Sequence, residues 1–397
     1  MTPPRVLILT PYFYPLIGGV ESNADRFAQY LAGRAWGVQV LTKRLSADLA
    51  DVEQRGGVTI RRIGPRGDRS ASGKWRMLPA VVRWLVQHRD TYDVVCVIDY
   101  RGVGIAALAA RAVTGRRVMV QGQTTGVLSG RISADAPPEP RLSALLKAPL
   151  RRIYVQADAL ACISRVLEQE ARAFGVPESR IHWLPNGIDM ARFTPLRPDG
   201  RTQARAALGF SDRDVVCVFV GRLSHEKGIS ELVAAWHEAR PANATLLVAG
   251  PDMPGSPWDR GPSSRQFVEA HGLSASVRFL GPADRVAALL QVADLAIQPS
   301  HFEALGLSAI EALACGVPVI ASDVGGLPEF VANGVNGRLV PSQDVCALAD
   351  AIRELVSDSP LRARMAAAAR ASVAEYDVHV VFDRMAAVLA TLAEPRA

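Results

Sequence analysis

At 397 residues, 49% of them hydrophobic, the chain exceeds what one hydrophobic core usually supports, so two domains are expected. The formal net charge is +6, and between Arg55 and Arg89 nine Lys or Arg stand against one acid, Asp68; such a stretch suits phosphorylated substrates, anionic lipid or nucleic acid, or is a solvated face. No run approaches ~18 apolar residues, which excludes a membrane-spanning helix. The five scattered cysteines (Cys96, Cys162, Cys217, Cys315 and Cys346) include no Cys-x-x-Cys pair and read as free thiols in a reducing compartment.

In chain order, Val6–Thr10 is a first buried strand. Pro11 and Pro15 close it and break any signal-peptide pattern, so a cytoplasmic location is expected, at the inner face of the plasma membrane if the basic surface meets lipid. A glycine pair, Gly18-Gly19, turns the chain into a helix over Ser22–Ala32, where Ala24, Phe27, Ala28 and Leu31 share a face. Val38–Thr42, Val58–Ile63, Val94–Ile98, Val118–Gln121 and Ala159–Ile163 are further strands. Alternation of strand and helix predicts a parallel sheet covered on both faces.

Bulky apolar residues mix with Arg and Lys at Trp75–Leu78, Val81–Leu85 and Ser143–Arg152. They fit an anionic membrane surface or a lipid-linked acceptor, or else a helix packed on its own sheet. Gly126–Pro140 reads as a loop beside an acceptor site. Gly102-Val-Gly104 mimics a dinucleotide fingerprint but lacks the acidic residue about 20 positions on.

Phe193–Gly200, rich in Pro and Gly, is expected to be an irregular linker. Alternation then restarts, with strands at Val215–Val220, Thr245–Ala249, Val277–Phe279, Leu295–Gln298 and Val317–Ala321, and ends in a helical segment from Ala347. The expected organisation is a domain over residues 1–192, a linker over 193–204, a second domain over 205–375, and a terminal helix over 376–397 packing back on the first. Two doubly wound units bind ligands beyond the carboxyl ends of their strands, which places a site in the cleft between them.

The densest chemistry lies in the second unit. Gly221-Arg222-Leu-Ser-His-Glu-Lys227-Gly228 follows a buried strand and precedes a helix. Glycines admit a phosphate to backbone amides, Arg222 can fork onto its oxygens, and Lys227 adds a point charge. Glu303-Ala-Leu305-Gly306-Leu307 through Glu311 follows another strand. Its amides open a helix, and its two carboxylates suit ribose and sugar hydroxyls. Gly325-Gly326 marks a third strand-to-helix turn; it either brings backbone close to a ligand or forms a tight turn. Asp212-Arg-Asp214 resembles a metal site but stands before its strand, at the wrong end for catalysis, so no metal is expected.

In their order, Gly18-Gly19, Pro185-Asn186-Gly-Ile-Asp189, Gly221-Arg222…Lys227-Gly228, Glu303 through Glu311 and Gly325-Gly326 resemble the retaining glycosyltransferases of family 4, over about Val6 to Pro341. The resemblance implies an α/β GT-B fold of two Rossmann-like domains facing a central cleft. It also implies a nucleotide-diphosphate-sugar donor, a glycan or lipid-linked acceptor, and no cofactor or nucleic-acid partner. It places Arg222 and Lys227 on the donor diphosphate with Glu303 near the sugar hydroxyls as the catalytic set. Gly18, Gly19, Gly221, Gly250, Leu305, Gly306 and Leu307 line the donor, and Glu311 holds the ribose. Gln121, Gln123 and Asn186 orient the sugar or acceptor. Where many members carry a histidine, this chain reads Gln121-Gly-Gln123, which can hydrogen-bond a hydroxyl but holds no proton. A front-face mechanism in which the donor phosphate takes the acceptor proton tolerates that change, whereas a non-catalytic sugar-nucleotide or lipid binder is the rival it keeps open.

Overall fold

The central strands are Val- and Ile-rich runs buried on both faces, the outer ones alternate buried and exposed residues, and amphipathic helices cover the sheets. The computed structural model describes residues 3–15, 19–46, 48–64, 77–98, 102–124, 126, 128 and 152–395. The chain divides into two units, one of Met1–Gly187 with His379–Ala397 and one of Ile188–Val378.

The first unit holds strands β1 (Arg5–Leu9), β2 (Gly37–Lys43), β3 (Val52–Arg55), β4 (Val58–Ile63), β5 (Val94–Ile98), β6 (Arg117–Gly122), β7 (Ala159–Cys162) and β8 (Ile181–Trp183). Their order is β3-β4-β2-β1-β5-β6-β7-β8, and every pairing is parallel except the β3–β4 hairpin. Helices α1 (Gly19–Gly33), α2 (Leu78–Gln87), α3 (Val103–Thr114) and α4 (Arg165–Ala173) connect them. On α2, Val81 and Leu85 are buried while Trp84 stacks on His88, so the Val81–Leu85 segment is a helix packed within its own unit. Residues 65–76 and 143–151 lie outside the described residues.

The second unit begins with a correction. Pro198 opens a helix, α5 (Pro198–Ala207), inside the segment expected to be irregular: proline is well placed in a first turn, where its missing N–H has no partner to lose. Strands β9 (Val215–Val220), β10 (Ala244–Ala249), β11 (Val277–Gly281), β12 (Leu295–Gln298), β13 (Val319–Ser322) and β14 (Gly337–Val340) form an all-parallel sheet in the order β11-β10-β9-β12-β13-β14. Helices α6 (Ile229–Ala239), α7 (Gly261–Ala270), α8 (Val286–Val292), α9 (Leu307–Ala314), α10 (Val345–Ser357) and α11 (Ser359–Ala369) surround it. Asp344 and Asp358 cap α10 and α11, accepting from the Ala347 and Leu361 amides at 2.9 and 2.8 Å. Trp236 of α6, fully buried, anchors the core. The last helix, α12 (Val378–Ala393), joins the first unit, where Phe382 meets Phe27 at 5.0 Å.

Three aspartates standing just before strands clamp the amino-terminal edge of each sheet. Asp93 accepts from the Arg5 amide and guanidinium, at 2.9 and 2.7 Å. Asp158 takes a two-pronged Arg111 and the Val118 amide, and Asp294 takes Arg201, Arg205 and the Val216 amide. The polar staples thus sit at one end of the strands, and the carboxyl ends are left to loops. Burial pushes the Cys96, Cys162 and Cys315 thiols up to about 12, so these buried cysteines stay protonated and inert. No helix among the described residues is long and apolar enough to cross a membrane.

Candidate active site

In the second sheet the strand order reverses between β9 and β12, and their carboxyl ends lie side by side through the pairing of Cys217 with Leu295 and Val218 with Ala296. A doubly wound sheet opens a crevice at such a point. The loop after β9 is pinned from outside: the Leu223 and His225 amides donate to the Pro251 and Trp258 carbonyls at 2.9 and 2.8 Å. Gly228, at φ +68°, closes the loop against β12; a Cβ there would lie 1.9 Å from the Pro299 carbonyl oxygen.

This packing brings Lys227 to Glu303, 76 positions away, with Nζ 2.5 Å from Oε2 and only 18% and 12% of the two side chains exposed. Behind the carboxylate runs a polar chain. Ser300 Oγ lies 3.3 Å from Glu303 Oε2, Gln298 Nε2 donates to Ser300 Oγ at 2.8 Å, and Ser308 Oγ donates to Gln298 Oε1 at 2.8 Å. Ser300 and Gln298 are buried, so the network fixes the carboxylate and, through it, the ammonium. Arg222 pairs with Glu226 and stays half exposed. Each cation of the expected cradle therefore carries its own carboxylate.

Helix α9 points its amino terminus at the same spot. Its cap residue, Gly306 (φ +98°), offers no side chain, and the amides of Leu305, Gly306 and Leu307 have no protein acceptor among the described residues. Free amides at a helix start are donors of the kind that suits an anion. Glu311, half-buried, lies one turn further along the helix.

Gly325-Gly326 packs against the protein's own backbone. A Cβ on Gly325 would stand 1.6 Å from the Glu303 carbonyl oxygen, and one on Gly326 2.8 Å from Leu305 Cα, so the pair lets the 303–305 loop lie against this turn. Gly250 likewise admits the Gly221 carbonyl, 1.7 Å from where its Cβ would be, and its amide is bound to the Gly281 carbonyl. The Gly221 amide donates to Ala249. Asp214 accepts from the Ser211 amide and hydroxyl at 2.6 and 2.8 Å, a closed polar turn.

In the first unit, Gly19 opens α1 after β1, while Gly18 lies outside the described residues. Asn186 Nδ2 donates to Gln123 Oε1 at 2.9 Å, and Asn23 Nδ2 donates to Asn186 Oδ1 at 3.1 Å. Gln121, at the end of β6, is fully buried, and neither its amide oxygen nor its nitrogen has a partner among the described residues. Sequence patterns gave no sign of Asn23, Gln298, Ser300 or Ser308. The available signal for Gln298 was a polar residue at the end of an otherwise apolar strand, and for Ser308 a polar residue in the first turn of a helix.

The family model for group 1 glycosyl transferases matches residues 200–372, and that for glycosyltransferase family 4 matches residues 17–192. A D-inositol 3-phosphate glycosyltransferase of Jonesia denitrificans is 30% identical over 395 residues, spanning 92% of this chain and 91% of that protein; the Rhodococcus jostii enzyme of that name is 32% identical over 92% and 84%. This chain is a family 4 glycosyltransferase. Among solved structures, the glycosyltransferase is similar to a sucrose-phosphate synthase from Thermosynechococcus elongatus, at TM-score 0.83 and 25% identity over 98% of this chain and 99% of that one. The Anabaena protein HepE in complex with UDP-glucose shares its fold, at TM-score 0.76 and 20% identity over 98% and 100%. The two α/β units are thus those of a GT-B enzyme, and the switch-point site belongs to the half matched by the group 1 model.

Proposed function

We propose that the enzyme transfers a hexosyl unit from a nucleotide-diphosphate sugar, with retained anomeric configuration, to a glycan or lipid-linked acceptor. The observation that carries the donor assignment is the convergence of unpaired amides at Leu305, Gly306 and Leu307 with the Lys227 ammonium at the β9/β12 switch point. In this reading the diphosphate takes those amides together with Arg222 and Lys227. Glu303, already holding Lys227, turns its second oxygen to the sugar hydroxyls, and Glu311 receives the ribose. As the glycosidic bond breaks, charge grows on the leaving phosphate, where fixed dipoles and a positioned cation are worth most. The acceptor proton passes to that phosphate, so no side chain in Gln121's position need titrate. No metal touches the reacting atoms in this scheme.

A second reading of the acceptor rests on the relatives. Their name specifies a phosphorylated cyclitol, and a soluble sugar or cyclitol phosphate would suit a chain with its basic stretch at Arg55–Arg89. One experiment separates the alternatives: UDP-, GDP- and ADP-glucose are each incubated with enzyme and either inositol 3-phosphate or a bacterial lipid extract, and free nucleotide is measured. Release from one donor stimulated by the extract is the expected result. Stimulation by inositol phosphate alone selects the cyclitol reading, and donor-independent silence contradicts both.

A further inference from the structure

Among the described residues one group of three metal-ligating side chains has donor atoms all within 4.8 Å of one another: His225, Glu231 and His301. His225 lies in the turn after β9, Glu231 in the first turn of α6, and His301 in the segment after β12. His301 is only 5% exposed, yet neither ring nitrogen makes a hydrogen bond that meets ordinary geometry among the described residues. Its Nε2 stands 3.1 Å from Glu231 Oε2, but the two are not aligned for a bond, and that oxygen also lacks a partner. The rings of His225 and His301 meet edge to face at 4.5 Å, while Trp258, half exposed, stacks on the outer side of His225 at 5.7 Å.

Buried imidazoles and carboxylates are ordinarily satisfied. Here two imidazoles and a carboxylate converge; each neutral ring has one lone pair, and these with the carboxylate oxygen form a donor set that a cation completes. Two nitrogens and one oxygen suit Zn²⁺ and its transition-metal neighbours, whereas Ca²⁺ and Mg²⁺ prefer oxygen alone. We propose that His225, Glu231 and His301 bind a divalent transition-metal ion of the Zn²⁺ class. Ligand bonds of about 2.0–2.2 Å place tetrahedral ligands about 3.4 Å apart, so binding draws the trio together by about 1 Å and leaves a fourth position for water. His225 is two residues from Lys227 and His301 two from Glu303. The ion therefore ties together the two loops that carry the Lys227–Glu303 pair and acts as a positioning clamp outside the reacting atoms. Metal binding itself does not depend on the identity of the donor.

The test uses the full chain stripped with a chelator and titrated with Co²⁺, then with Zn²⁺. One equivalent of Co²⁺ should give the visible absorption of a tetrahedral site, Zn²⁺ should displace it, and Zn²⁺ should raise the melting temperature. His225→Ala and His301→Ala should each weaken binding more than 100-fold. His271→Ala, which breaks a histidine pair outside the trio (His237 and His271, 4.7 Å apart), should leave binding intact. His225 is the less buried ligand, so its variant carries the test if His301→Ala fails to fold. The proposal is overturned if the wild type shows no stoichiometric Co²⁺ absorption, or if binding survives His225→Ala unchanged.

Discussion

Gln121 is an amide sealed near the end of an interior strand, with no hydrogen-bond partner among the described residues. An unpaired buried amide costs about 1–3 kcal/mol, a debt that selection removes unless a ligand settles it. Gln121→Met keeps the volume and discards the polar atoms, so it should raise unfolding free energy by about 1 kcal/mol in a denaturant titration while lowering kcat/KM for transfer. A variant both more stable and fully active would show that the amide never meets a substrate. Lys227 presents the opposite case, a charge already paired. Its carboxylate partner and the Ser300–Gln298–Ser308 chain behind it are what hold the ammonium still. The sequence made the two ends of that pair legible as members of separate motifs, but their contact was not, because local spacing carries no information across 76 positions. Nor did it reveal that Gly325 and Gly326 accommodate the protein's own Glu303–Leu305 loop: a glycine that admits a ligand and one that admits backbone read alike.

The elements themselves were legible where hydrophobic runs were long. Val58–Ile63, Val94–Ile98, Val215–Val220 and Leu295–Gln298 appear with the expected bounds: Val94–Ile98 and Val215–Val220 are apolar throughout, as buried parallel strands are, while Val58–Ile63 alternates buried and partly exposed residues. The polar edge strand β3, the three-residue β8 and β14, which begins at a glycine, lack that signature. Equally invisible was the repeated use of an aspartate before a strand to hold its neighbour. Asp93 illustrates the consequence: hydrogen bonding by the Arg5 guanidinium, aided by the Arg5 amide and opposed by burial, holds its carboxyl below the usual range. A depressed folded-state pKa contributes stability that is complete above about pH 4, the ordinary value, and is lost as pH falls through the lower one. Asp93→Asn should therefore cost about 1 kcal/mol at neutral pH, modest because Arg5 is 43% exposed, and should flatten the acid limb of a stability–pH profile. An unchanged acid limb would assign the acid sensitivity to other carboxylates.

At the scale of the molecule, the two units have the same plan, with staples at the amino edge of each sheet and loops at the carboxyl edge, and α12 joins the first unit although it ends the chain. The second unit brings Lys227, Glu303 and the start of α9 together at its β9/β12 reversal, where the proposed function puts the donor phosphates. The most direct measurement of that assignment compares initial rates of nucleotide release for wild type, Lys227→Ala and Glu311→Ala, with melting temperatures recorded alongside. A site of the kind described predicts a loss of about 100-fold or more in kcat for Lys227→Ala, a weaker apparent donor affinity for Glu311→Ala, and both proteins still folded. Turnover undiminished in a folded Lys227→Ala would contradict the placement of the donor phosphates at this switch point.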